Sequence, residues 1–299
     1  MRIARATAAV RVPATSGNLG PGFDSMGMAH NLWDEVHVRL VTGPTRVTVT
    51  GEGAGRLPTD DSHLVVRALR HGLDAAGLPQ SGIELTCHNE IRQGRGLGSS
   101  AAAVVAGLML IRGLVDRPEE FDDAALLALA TEFEGHPDNA APAIHGGAVV
   151  SWVSEADGSA HVVQLALSPR LKTTLLIPEA VLATKKARSV LPSTVPHADA
   201  AHNAARSAML VVALERSTEL LLEATDDRLH QAYRAASMPE SFEVLTALRE
   251  AGWPAVISGA GPSILVFDEI DAQTGDMLAD RGFTAFHGGV ARGAHLIEA

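Results

Sequence analysis

Two stretches near the amino terminus alternate apolar and polar residues: Asp34-Glu-Val-His-Val-Arg-Leu-Val and Thr45-Arg-Val-Thr-Val-Thr. Period-two alternation sends one set of side chains to a buried face and the other to solvent, so both read as half-buried strands. Gly43-Pro44 supplies a turn between them, and the pair is expected to form a hairpin. The period then changes. Across residues 62–76, Leu64, Val65, Ala68, Leu69 and Leu73 recur at helical spacing, and Gly77 with Pro79 stops the run. Ile83, Leu85 and Cys87 mark another strand, and a glycine-rich segment follows it. Helices are expected over residues 99–112 and 122–134, the second opening on Asp122 as N-cap and closing before Gly135.

Further on, residues 147–153 and 161–167 read as strands joined by the turn Glu155-Ala-Asp-Gly-Ser. A second region opens with a strand at 172–177, runs through several helices over 185–252, and closes with strands at 255–258 and 264–267. Residues 288–297 return as a strand. Strands mixed with helices, without regular βα alternation, give an α+β class, divided into domains at 1–165 and 166–299.

Composition narrows the function. The 299 residues are 46% hydrophobic and carry 24 basic against 35 acidic side chains, a net charge of −11. No basic cluster stands out, which argues against a nucleic-acid partner, while local arginines and helix ends still allow a small anion. Cys87 is the sole cysteine, so there is no intramolecular disulfide framework, and a reducing cytoplasm fits. The longest apolar run, 101–111, stops at Arg112 and is too short to span a bilayer. The residues before Arg11 lack the sustained apolar region of a signal peptide. The thirteen histidines are scattered without an H-E-x-x-H pair, and only His136 sits in a suspicious cluster.

The segment Gly94-Arg-Gly-Leu-Gly-Ser-Ser-Ala-Ala carries the most chemistry. Gly94, Gly96 and Gly98 allow backbone conformations in which successive N–H groups turn toward one anion, and Ser99 and Ser100 open a helix whose positive end faces it. A triphosphate suits such a cradle. The same residues fit the loose dinucleotide pattern G-x-G-x-x-A, but no strand runs straight into the glycines. No lysine completes a Walker pattern, and no G-x-S-x-G elbow is present. A glycine turn before a core helix is the plain alternative.

Four other clusters accompany the cradle. Pro13-Ala-Thr-Ser-Gly-Asn-Leu-Gly-Pro-Gly-Phe-Asp is read as a loop after a strand at 9–12, with Asn18 and Asp24 suited to a small polar ligand. Glu132-Phe-Glu-Gly-His-Pro-Asp-Asn offers carboxylates to Mg²⁺, or is simply a helix end and a turn. Arg188, in Thr184-Lys-Lys-Ala-Arg, and Arg234 could hold a carboxylate in bidentate fashion. Ser258-Gly-Ala-Gly-Pro-Ser is a second glycine turn, either a bare hairpin or a wall against a ligand.

In this order the five motifs resemble the GHMP kinases over nearly the whole chain, and within them the branch that phosphorylates homoserine. The resemblance implies ATP-dependent transfer to the side-chain hydroxyl of L-homoserine, giving O-phospho-L-homoserine on the route to threonine. It also implies a ribosomal-S5-domain-2-like amino-terminal domain, a ferredoxin-like carboxy-terminal domain and a homodimer. Carried over by position, Arg92, Gln93, Gly94, Arg95, Gly96, Leu97, Gly98, Ser99, Ser100, Ala101 and Ala102 would wrap the phosphates, with His63 at the base. Ser100 and Glu132 would attend Mg²⁺, with Glu134 as the alternative carboxylate. Asn18, Asp24, His136, Asp138, Asn139, Arg188, Arg234 and Gly261 would line the homoserine site, with Asp138, Asn139 and Arg188 nearest the chemistry. Three departures mark this chain: Arg92 replaces a frequent proline, His63 replaces an asparagine that commonly faces adenine, and residues 132–138 form a shorter segment than in some relatives. A different acceptor, such as mevalonate or a sugar, and a nucleotide sensor without turnover are the competing readings.

Overall fold

The computed structural model describes the backbone of residues 1–299 and every side chain except those of Thr184 and Lys185. Its first sheet has seven strands: β1 (Thr7–Gly17), β2 (Met26–Val41), β3 (Arg46–Gly51), β4 (Gly82–Asn89), β5 (Ala148–Val153), β6 (Ala160–Gln164) and β11 (His295–Ile297). The main path runs β11-β1-β2-β4-β3, with β5 on the other stretch of β2 and β6 outside β5.

The expected hairpin of β2 and β3 does not form. β4 lies between them, antiparallel to β2 and parallel to β3. The alternation correctly gave each strand a buried face but carried no information about its neighbour. Helix α1 (Leu64–Ala75) separates β3 from β4 in the chain and is the crossover that a parallel pair requires. A second correction concerns β1, which continues past residue 12 to Gly17, so half of the supposed loop is strand. The register shift between Pro13 and Ala14 lets proline stay in the ladder without donating a bond.

Helices α1, α2 (Ser99–Leu114), α3 (Asp123–Glu134) and α4 (Ala140–His145) belong to this lobe. Asp122 caps α3 by accepting the Ala125 N–H at 2.9 Å, and Gly135 ends it in the left-handed region. α2 touches α1, β1, α3 and α4, and its apolar residues, including Val104, Leu108, Leu110 and Ile111, are buried around its circumference. Gly107 allows this close packing, because a Cβ there would lie 2.4 Å from the Val65 carbonyl oxygen. The helix is thereby fixed on all sides, and its amino-terminal end reaches the surface at the glycine cradle.

The second sheet is antiparallel, ordered β10-β7-β9-β8, from β7 (Thr174–Pro178), β8 (Ala255–Ile257), β9 (Ile264–Val266) and β10 (Phe283–Phe286). Between β7 and β8 come α5 (Thr184–Ser189), α6 (His197–Glu215), α7 (Leu221–Ala224), α8 (Gln231–Arg234) and α9 (Pro239–Glu250). α10 (Ala272–Asp280) joins β9 to β10. This is the βαββαβ order of a ferredoxin-like lobe. The lobes share apolar packing: Leu175, Leu210, Leu214, Val256 and Leu265 join one buried cluster with Val10, Leu97 and Leu110. The final strand, β11, leaves the second lobe and pairs with β1.

Candidate active site

Gly94, Gly96 and Gly98 have φ of 65°, 74° and 65°, so each turn of the cradle uses the left-handed region. All three also sit against other atoms, Gly94 against the Val181 side chain. A Cβ on Gly96 would meet the Ser258 carbonyl oxygen at 2.2 Å, and one on Gly98 would meet Thr15 Oγ1 at 1.9 Å. Gly98 is the N-cap of α2, so the first N–H groups of that helix have no intrahelical partner and face outward. Buried Leu97, Ala101 and Ala102 anchor the cradle from beneath, and the Thr15 N–H donates to the Leu97 carbonyl at 3.0 Å. Arg92 and Arg95 do not reach into it. Arg92 pairs with Glu52 and Glu179, and Arg95 donates to the backbone carbonyls of Gln93, Pro178 and Glu179. These arginines fasten the cradle to the second lobe and leave its inner surface to backbone amides.

Beside the cradle is a cavity of about 360 Å³ lined by His63, Asn89, Gln93, Ser99, Ser100 and Asp34. His63 is 4% exposed, and both of its ring nitrogens lack a partner among the described residues. Burial lowers its pKa, so the ring is neutral and offers one donor and one acceptor. Asp34 accepts the Glu90 and Ile91 N–H groups at 2.8 and 2.9 Å; burial nevertheless pushes its carboxyl up to about 7, against those two bonds. A planar base fits this half-apolar slot.

On the opposite side of the cradle, β1 gives way to a turn that holds Asn18, Leu19 and Asp24 at φ of 68°, 47° and 54°, the non-glycine residues with left-handed backbone among the described residues. Backbone strain is thus gathered in one segment. Asn18 braces it: Nδ2 donates to Gly259 O at 2.8 Å, and Oδ1 accepts the Asp24 N–H at 3.0 Å. Asp24 forms an ion pair with Arg188. Arg234 is 3% exposed and donates to the carbonyls of Ala187 and Gly259 at 3.2 and 3.1 Å. Burial draws the Arg234 guanidinium below its ordinary value, with Asp24 opposing. Both guanidiniums lie near one ring, 6.0 and 5.7 Å from the centroid of Phe23, which itself stacks on His230.

Asp138 and Asn139 precede α4 and close the gap between this pocket and the cradle. Gly17 makes room for them, since a Cβ there would lie 2.4 Å from Asp138 Oδ2. Thr15 Oγ1 donates to Asn139 Oδ1 at 3.0 Å, and Asn139 Nδ2 donates to Asp138 Oδ1 at 3.2 Å. His136 Nδ1 lies 2.5 Å from Asp138 Oδ1, and ligand atoms of Asp24, His136 and Asp138 fall within 4.8 Å of one another. Gly261 stands behind the cradle; its N–H donates to the Ser258 carbonyl at 2.9 Å.

The His136 pKa is raised, first by the hydrogen bond to Asp138 and further by the charges of Asp138 and Asp24, against burial and Arg188. Because the folded value lies above the ordinary 6.5, this pair contributes stability fully below 6.5, and the contribution is lost as pH rises through the folded value. In an NMR titration of the imidazoles, His136 is expected to titrate above 6.5 and to drop in Asp138→Asn. A His136 midpoint at or below the ordinary value would contradict the bond.

Glu132 and Glu134 are separated by the structure. Ser100 Oγ donates to Glu134 Oε1 at 2.6 Å, whereas Glu132 turns outward to His71 Nε2 at 2.8 Å. Two residues along a helix rotate a side chain by about 200°, so only one of the pair can face the cradle. Reading the sequence also missed Thr15, Phe23 and Asp34. The first two lie inside a motif already singled out. Asp34 had a signal of its own, an acidic residue opening an alternating strand pattern.

The sequence matches the model of the GHMP kinases N terminal domain over residues 63–147 and that of the GHMP kinases C terminal over residues 209–274. The chain belongs to the GHMP kinases. Among curated relatives of this kinase, the homoserine kinase of Clavibacter michiganensis is 50% identical over 91% of this chain and 87% of its own. That of Streptomyces coelicolor is 49% identical over 90% of this chain and 86% of its own. The solved homoserine kinase of Cytophaga hutchinsonii superposes with a TM-score of 0.84 at 30% identity, covering 98% of each chain. Mevalonate diphosphate decarboxylase from Staphylococcus aureus, at 16% identity and a TM-score of 0.71, shares the fold of this GHMP kinase.

Proposed function

We propose that this GHMP kinase transfers the γ-phosphoryl group of ATP to the side-chain hydroxyl of L-homoserine, giving O-phospho-L-homoserine and ADP. The observation that carries the reading is the grouping of Asp24, Arg188 and Arg234 around Phe23, on the open side of the phosphate cradle. An α-amino acid brings an ammonium for Asp24 and a carboxylate for the guanidiniums. In the absence of that zwitterion, Asp24 and Arg188 neutralise each other. The relatives named homoserine kinase, which match nearly the full chain, support the same acceptor.

Phosphoryl transfer needs positioning and charge neutralisation more than a strong base. The amides at the start of α2 hold the phosphates, Asn139 is set by Thr15, and Arg188 is free to leave Asp24 for the transferring group or the carboxylate. The bond from the γ-phosphorus to the bridging oxygen breaks, the acceptor oxygen takes its place, and in this proposal the hydroxyl proton passes to Asp138. Ser100 and Glu134, two oxygen donors 2.6 Å apart at the cradle, fit Mg²⁺ and would hold it. When bound, that ion neutralises charge on the phosphates. His63 and Gln93 contact the base. A cytoplasmic homodimer with a division near residue 165 completes the proposal.

The test is ADP release with Mg·ATP against L-homoserine, L-threonine, L-serine and mevalonate, the product identified by ³¹P NMR. Selective turnover of homoserine is expected. Preference for another acceptor would overturn the roles of Asp24, Arg188 and Arg234, and silence across the panel would point to a nucleotide sensor.

A further inference from the structure

A buried chain of hydrogen bonds starts in the first sheet and ends on the phosphate cradle. His30 Nε2 lies 2.7 Å from Ser16 Oγ, Ser16 Oγ lies 2.6 Å from Ser258 Oγ, and Ser258 Oγ lies 2.6 Å from the Gly96 carbonyl oxygen. All three side chains are buried. Elementary counting fixes the direction of every proton. A carbonyl only accepts, so Ser258 gives its single hydrogen to Gly96. Ser258 must then accept from Ser16, and Ser16 must accept from His30. His30 is therefore the neutral Nε2–H tautomer, and its Nδ1 has no partner among the described residues. Burial pulls this imidazole down to about 3, which keeps the second proton away.

The peptide joining Gly96 to Leu97 is trans, so its N–H points opposite to its carbonyl. With the carbonyl held toward the turn at 258–263, the Leu97 amide is turned away from that turn. The same turn grips the cradle twice more: the Ser263 N–H donates to Arg95 O at 3.0 Å, and the Gly96 backbone packs directly on Ser258. A glycine carbonyl without its donor would be free to swing toward the bound anion and repel it.

We propose that the relay His30–Ser16–Ser258 is a positioning device for the nucleotide phosphates: it fixes the Gly96–Leu97 peptide plane so that its amide, and not its carbonyl, faces them. The proposal rests on the kinase reading above. Ser258, Ser16 and His30 act on the nucleotide through the cradle, so their effect on it falls on the phosphates rather than on the base.

Calorimetric titration of the full chain with ADP and with adenosine separates the alternatives. Ser258→Ala is expected to weaken ADP roughly three- to tenfold, the effect of one buried hydrogen bond, with adenosine changed by less than about twofold. Ser16→Ala should show the same contrast at smaller size, and the double variant should fall short of the sum because both act through one chain. If Ser258→Ala does not fold, Ser16→Ala carries the test. Equal weakening of ADP and adenosine, or no weakening of either, would overturn the relay. Wild-type protein that binds neither ADP nor ATP would instead overturn the kinase reading on which it stands.

Discussion

Gly98→Ala is expected to lower kcat/KM for ATP by about two orders of magnitude while the protein stays folded. Gly98 has φ of 65°, where an L-residue costs about 1–2 kcal/mol, and its Cβ would lie 1.9 Å from Thr15 Oγ1. That contact cannot be absorbed locally, because Thr15 is in β1 and bonded to Asn139, while Gly98 caps a helix buried all round. The strain therefore moves the cradle itself, and a shift of about 1 Å at the reacting phosphate is enough for about a hundredfold loss. Steady-state kinetics beside a thermal melt decides the matter: wild-type turnover in Gly98→Ala would show that the cradle is not where the triphosphate lies.

Asp24→Asn is expected to raise KM for L-homoserine by about 10- to 100-fold and to leave KM for ATP within about twofold, since a charge-assisted bond to an ammonium contributes about 1.5–3 kcal/mol. The sharper readout is discrimination. Wild-type protein should favour homoserine strongly over the same hydroxy acid lacking its amino group, and in Asp24→Asn that preference should shrink to a few-fold. An undiminished preference would mean that Asp24 serves only to hold Arg188, its partner in this structure.

What could be read from the sequence divides along physical lines. The glycines at 94, 96 and 98 announced the cradle because a backbone that turns its amides inward excludes side chains. Asp122 and Gly135 bounded α3 because caps act within one turn. Pairing is another matter. β3 and β4 meet through a crossover, and nothing in Val47 or Val49 names Leu85 or Cys87 as a neighbour. Glu132 and Glu134 look equivalent in a string of letters, and the helix alone sends one to His71 and the other to Ser100. Ser16 and Ser258 stand 242 positions apart and share a hydrogen bond that no local pattern encodes.

The insertion of β4 between β2 and β3 has a further consequence for how the molecule is made. β2 pairs with β4 through Glu35 and His88, so the edge of β2 stays open until a chain emerging from the ribosome extends some fifty residues beyond it. Such an open edge is a template for foreign strands, and closing a long loop to cover it is slow. β3, although synthesised first, reaches the sheet only through β4 and forms its outer border. For these two strands the order across the sheet, counted outward from β2, is the reverse of the order of synthesis.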